Sequence, residues 1–294
     1  MALEGIFLGF ATEADAVLVE AMTSGVVGAL AYVRAPLRAM LALYVLMHGF
    51  RMVAGEGSAR EFTSAVMRAV CVITLLQATY YIPWVQQYLF VTLPNELASA
   101  LNGPRVTVNT AQVFDALWSA SLNSAAPILK KASGFFNGIN YLVIWLFIFV
   151  GLGGILIMFA IWYMSKVTIA ILLIMGAFLI VFYLFKGTRG ITTGWVGKLV
   201  GVLTWQLATL IVVRLVMVAI HARMLAFNAN PGASIDEMTG AFAGITALFW
   251  LGAIFVAVIP TAVAIGGGVG AAHVGSVAMA ASVVGRAASI VSRK

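Results

Sequence analysis

The residues able to do chemistry in this chain are few, and their spacing excludes more than it offers. A nucleotide-binding P-loop needs G-x-x-x-x-G-K-[ST], so that backbone amides and a lysine can cradle phosphates. The one Gly-Lys pair, Gly197-Lys198, is followed by Leu199, and Thr192 stands where the first glycine belongs. That motif excludes an energy-coupling NTPase. His48, His221 and His273 are far apart in sequence, and the single cysteine, Cys71, lies in the apolar run AVCVITLL. Neither a zinc-ligand spacing nor an intramolecular disulfide follows from them. Ion-coupled carriers ordinarily keep a carboxylate near the bilayer midplane, yet the apolar runs between 139 and 222 hold no Asp or Glu. Arg214, in IVVRLVMVAI, is a lone charge deep in one such run. It can line a polar pathway, pair with a neighbouring helix, or snorkel to the interface.

A second group of residues sits between two strongly apolar stretches, in FKGTRGITTGWVGK (185–198). Lys186, Arg189 and Lys198 are placed to meet lipid phosphates at headgroup depth. Trp195 is expected at the same level with its N–H toward water. The glycines, Gly187 among them, let the chain bend from one helix into the next. Gly190-x-x-x-Gly194 and Gly197-x-x-x-Gly201 match the spacing that lets membrane helices approach closely.

The elements that carry these residues follow from composition. Of 294 residues 63% are hydrophobic and only 9% charged, with a mean hydropathy of +1.06. Soluble domains are about 45–50% apolar and about 25% charged, so the natural solvent here is a bilayer. At about 20 residues per crossing the chain supports roughly five or six transmembrane helices. The fold class expected is therefore an all-α integral membrane protein. The net charge of +7 comes from scattered Lys and Arg, no basic run being longer than a pair such as Lys130-Lys131. Scattered cations anchor helices to lipid; they do not grip nucleic acid.

Along the chain, residues 1–23 read as an amphipathic segment with Glu4, Glu13, Asp15 and Glu20 interspersed. Residues 24–89 hold the first two spans, the first beginning near Pro36, so that Arg34 lies at the interface. The second breaks at YIPWVQQY, where Tyr80, Tyr81, Trp84 and Tyr88 suggest an aromatic belt around Pro83. Residues 90–138 form one central extramembrane loop with short helices and an NGP turn at 102–104. Residues 139–265 form a cluster of spans, and 266–294 a flexible Gly/Ala-rich tail. From Tyr141 to Phe185 the only charge is Lys166. The simplest reading is two spans joined near Met164-Ser165-Lys166, because one helix of that length would be twice the ~30 Å hydrocarbon core. The acidic N-terminus and Arg51, Arg60 and Arg68 place the N-terminus and the loop 90–138 outside the cytoplasm, in the periplasm of a Gram-negative cell. Six strictly alternating spans would then leave Lys186, Arg189 and Lys198 outside as well, against the positive-inside rule. Five spans, with one later segment re-entrant, avoid this.

The stretch ILLIMGAFLIVFYLFKGTRGITTGWVGKLV resembles the signature of the TrbL family, which includes the sixth VirB protein. The pattern is an apolar helix with a small residue, then Phe, a Thr-Arg pair and a Trp: here Gly176, Phe185, Thr188, Arg189 and Trp195. Where the family often has Gly-Pro, this chain has Gly176-Ala177, which puts a helix kink there in doubt. LALYVLMHGFRMVAGE and YIPWVQQYLFVTLPNELASAL, with Pro83 and Trp84, are similar to the family's first two spans and the start of its loop. The resemblance implies an inner-membrane scaffold and channel subunit of a type IV secretion or conjugation machine, not an enzyme, and without a cofactor. It implies partners: secretion ATPases, an inner-membrane scaffold, a minor pilus subunit, further copies of the chain, membrane lipid, and a transient DNA or protein substrate. The competing reading is a small-molecule transporter or channel, which predicts polar residues along one face of several spans.

Overall fold

A computed structural model describes residues 5–102, 110–132, 138–228 and 234–266, and among them there is no strand. The helices are α1 (Ile6–Val53), α2 (Ala59–Leu75), α3 (Ala78–Tyr80), a π-helix (Tyr81–Thr92), α4 (Leu93–Asn102), α5 (Thr110–Ala132), α6 (Gly138–Leu179), a 3-10 turn (Ile180–Tyr183), α7 (Arg189–Asn228) and α8 (Ile235–Gly266). By length and composition, α1, α6, α7 and α8 can each cross a membrane. The pair Ala59–Leu75 and Ala78–Leu97, bent by 70°, makes a fifth if counted as one span. The protein is all-α and multi-pass, as its composition predicts. Of the NGP turn only Asn102, the last residue of α4, is described; residues 103–104 and the tail beyond Gly266 lie outside the described residues.

The long helices are less broken than the sequence suggests. No join interrupts α6 at 164–166: it runs unbroken from Gly138 to Leu179. Met-Ser-Lys contains no helix breaker. Ser165 turns its hydroxyl back to the Trp162 carbonyl at 2.6 Å, and Lys166 is neutralised by Asp15. Likewise α1 continues without a break through residues 23 and 24 and through Pro36. Pro36 is exposed, where a helix tolerates one missing N–H bond more readily.

Contacts divide the chain into two compact units. The first takes residues 1–12, 95–165 and 204–294. Its core is aromatic: Phe7 and Phe114 meet Phe159 with ring centroids 5.0 and 5.3 Å apart, and Trp162 lies 5.7 Å from Phe114. α5 turns Phe114, Leu117, Trp118, Ala125 and Ile128 into this core; the helices expected within residues 90–138 thus include one of 23 residues that packs inward. Asp115, beside Phe114, accepts the first free backbone amides of α1, from Phe7 at 3.0 Å and Leu8 at 2.9 Å. A carboxylate at a helix N-terminus satisfies orphan donors and complements the helix dipole. Between α6 and α8, Gly154 lets the helices close: a β-carbon there would stand 3.0 Å from the Phe249 backbone.

The second unit takes residues 13–94 and 166–203. There α1 buries Met22, Val26, Ala29, Val33, Leu37 and Tyr44, a three- and four-residue rhythm that keeps one seam inward. α2 starts at a capping box, Ser58 with Glu61, and ends at a sharp bend before Gln77. The π-helix that follows holds Pro83 in its first turn, where the missing N–H would have no intrahelical partner, and Pro94 is the second residue of α4 after it.

Candidate functional site

The conspicuous constellation of the second unit is built where α6 ends and α7 begins. Trp195, on the second turn of α7, points inward and is 7% exposed. Its indole N–H donates to the Leu172 carbonyl of α6 at 2.8 Å. Tyr81, the first residue of the π-helix and fully buried, donates its hydroxyl to the next carbonyl, Leu173. One turn further on is Gly176, where a β-carbon would collide with both the Trp195 ring and the Tyr81 hydroxyl. α6 does not break at Gly176. The glycine is needed for close approach of two aromatic rings, not for a kink.

The remaining residues of the segment finish the helix end. A helix leaves its last carbonyls without backbone partners. Thr192 reaches back to the Leu179 carbonyl at 2.6 Å, and Thr188 to the Phe182 carbonyl at 2.9 Å. The backbone amides of Thr188 and Arg189 bond to the Phe185 carbonyl at 3.1 and 3.0 Å. The Arg189 guanidinium lies 5.1 Å from the Tyr183 ring centroid, a cation–π geometry, and the Phe185 ring meets Tyr44 edge-on at 5.8 Å. Gly187 is exposed, with open space where a side chain would be. The structure thus gathers Gly176, Phe185, Thr188, Arg189 and Trp195 in one unit, with Gly187 in the turn between them.

Two expectations about aromatics are corrected. Trp195 does not hold its N–H toward water: the Leu172 carbonyl of α6 accepts it, the usual way a buried indole N–H is satisfied. The YIPWVQQY aromatics divide between two faces. Tyr80, Trp84 and Tyr88 are 45%, 70% and 39% exposed and line one side at four-residue spacing, whereas Tyr81 turns inward. Pro83 is exposed beside Trp84. Arg214 is exposed on α7 among exposed Ile211, Leu215 and Val218.

Sequence reasoning missed the polar seam of the same unit. Lys166 forms an ion pair with Asp15 of α1, and its ammonium lies 5.4 Å from the Phe90 ring centroid. One turn before Phe90, the amide of the buried Gln86 donates to the Thr23 hydroxyl at 2.6 Å. The carboxylate missing from the apolar runs is supplied by the N-terminal helix, 151 residues away in sequence. The one signal available was the uncompensated Lys166 itself, which demands a partner somewhere.

Residues 41–284 match a family profile described as TrbL/VirB6 plasmid conjugal transfer protein. The match takes in both the aromatic–glycine junction and the π-helical segment. The chain belongs to the TrbL/VirB6 family. It is therefore a component of conjugal transfer and type IV secretion, a family of structural conjugation components and not a known family of enzymes. No curated protein matches the chain.

Proposed function

We propose that this TrbL/VirB6 protein is an inner-membrane scaffold and channel subunit of a type IV secretion machine. It supports pilus assembly and the passage of DNA or protein across the membrane. The observation that carries the reading is the family match over 41–284, on a chain whose helices are long and apolar enough to cross a bilayer. Energy comes from separate secretion ATPases; the chain has no P-loop of its own. An inner-membrane scaffold, a minor pilus subunit and further copies of the chain are its neighbours. The N-terminus and the segment 90–138 face the periplasm, and the C-terminal region lies on the cytoplasmic side if five spans cross.

A carrier needs a carboxylate free to exchange a cation. Asp15 is the acid closest to that role, but Lys166 already holds it, which favours a structural use of the pair. The same reading gives the junction of Gly176, Tyr81 and Trp195 a mechanical role: it holds the turn between α6 and α7 rigid, so that neighbouring subunits meet a fixed surface.

The deciding experiment is substrate transfer from a strain lacking the gene, complemented with wild type or Trp195→Ala. Loss of transfer on deletion and recovery with wild type, with growth and small-molecule uptake unchanged, is expected. Failure of Trp195→Ala at normal protein level gives the junction a part in transfer. Normal transfer without the gene overturns the proposal.

A further inference from the structure

Two exposed charges of the second unit stand on separate helices, and neither has a charged partner among the described residues: Glu20 on α1 and Lys198 on α7. α6 serves as a ruler for their height. Asp15 of α1 pairs with Lys166 of α6, and Gly25 lies against Ile174, with its β-position 3.1 Å from the Ile174 side chain. Glu20, midway between them, is therefore level with about residue 170 of α6. α7 runs the opposite way: Thr192 bonds at Leu179 and Trp195 at Leu172. Lys198, one turn beyond Trp195, reaches that same level.

The surfaces around the two charges are alike. On α1, Val17, Ala21, Ser24 and Gly28 recur at steps of four, three and four, all exposed, with Val17 68% exposed. On α7, Gly190, Gly194, Gly197 and Gly201 recur at the same steps; Gly190 and Gly194 are exposed, Gly197 and Gly201 half-buried, and Ile191 beside them is 47% exposed. A β-carbon at Gly28, Gly190 or Gly194 would meet nothing within 4 Å. Laid antiparallel with Glu20 opposite Lys198, the helices bring Ala21 to Gly197, Ser24 to Gly194 and Gly28 to Gly190. Val17 then faces Gly201. Charge and shape fall into one register.

An unpaired charge on an apolar membrane-facing helix is costly, and each of these lacks what the other carries. We propose that the exposed face of α1 in one copy packs on the exposed face of α7 in a second copy of this chain, with Glu20 paired to Lys198. All copies share one orientation in the membrane. Height is therefore conserved between neighbours, and equal height is the condition for a head-to-tail contact that repeats around an axis along the membrane normal. Small residues on both sides allow the close backbone approach that membrane helices use in place of a hydrophobic drive. The inference rests on the reading of the protein as one of several copies in a secretion machine.

The test co-expresses two differently tagged full-length copies in membranes, both Cys71→Ser, one with Ser24→Cys and the other with Gly194→Cys. Oxidation or a short bismaleimide should join the two tags; each cysteine copy paired with a cysteine-free copy should not. Glu20→Lys or Lys198→Glu alone should lower the mixed product by roughly fivefold or more. The exchanged pair, Glu20→Lys with Lys198→Glu, should restore it. No mixed product at normal protein level, with transfer still dependent on the gene, overturns the interface and leaves the secretion role. Mixed product that neither single reversal reduces overturns the Glu20–Lys198 pairing. Mixed product in a strain whose transfer never needed the gene keeps the interface and overturns the secretion role.

Discussion

The two units solve the same problem, holding long apolar helices together, by different means. The first unit closes around rings: Phe7, Phe114, Phe159, Trp162 and Phe249 are buried together with aliphatic side chains from α5 to α8. The second closes around polar anchors on α6. Lys166 holds Asp15, the Leu172 and Leu173 carbonyls take Trp195 and Tyr81, and the Leu179 carbonyl takes Thr192. In lipid, apolar contact between helices has no water to escape from, so packing and hydrogen bonding decide association. The first unit relies on the shape of its packing, the second on partners that cannot be replaced by lipid. A glycine serves each, Gly154 under the Phe249 backbone and Gly176 under Trp195 and Tyr81.

Substitutions can break this contrast. The largest loss should follow Phe249→Ala. It empties a ring-sized space in the first unit and should cost about 3–5 kcal/mol, read as a lowered unfolding midpoint of the purified chain in detergent. A shift no larger than for an exposed residue such as Leu251 would remove the claim that ring packing dominates there. Lys166→Met comes next, at about 3 kcal/mol, because it leaves Asp15 charged and unpaired. Asp15→Leu with Lys166→Met should recover most of that loss. If the double variant is no better than the single, the pair is not what makes either residue matter.

Smaller effects sharpen the contrast. Gly176→Ala drives a methyl into two rings and should cost about 2 kcal/mol. Tyr81→Phe, which removes the hydroxyl nearest the new methyl, should relieve part of it; equal losses with and without Tyr81→Phe would show that the clash is elsewhere. Trp195→Phe keeps a ring but gives up the bond to the Leu172 carbonyl. About 1 kcal/mol should be lost, with indole fluorescence of the wild type reporting a dry environment. A water-like emission from Trp195, in a variant where it is the only tryptophan, would contradict its burial.

Much of the fold was legible because the signals were local. Apolar runs far longer than soluble helices need, few charges and short turn segments read directly as membrane helices. The junction was legible as a segment: Phe185, Thr188, Arg189 and Trp195 stood out by spacing. The direction in which each side chain points was less so. Tyr80, Tyr81, Trp84 and Tyr88 look equivalent as a string, yet helical winding puts Tyr80, Trp84 and Tyr88 on one exposed side at four-residue spacing and Tyr81 on the buried one. Asp15 looked like one acid of a surface helix because its partner lies on α6.

By itself, then, the sequence determined the solvent, the helical class and the approximate positions of the turns, for each depends on composition or on residues close along the chain. Tertiary structure alone decided that α6 continues through Lys166, that Gly176 makes room for rings instead of bending a helix, and that Asp15 neutralises a distant lysine. These depend on which groups meet across helices. A buried charge or an orphan carbonyl states only that a partner is required; packing determines which residue supplies it.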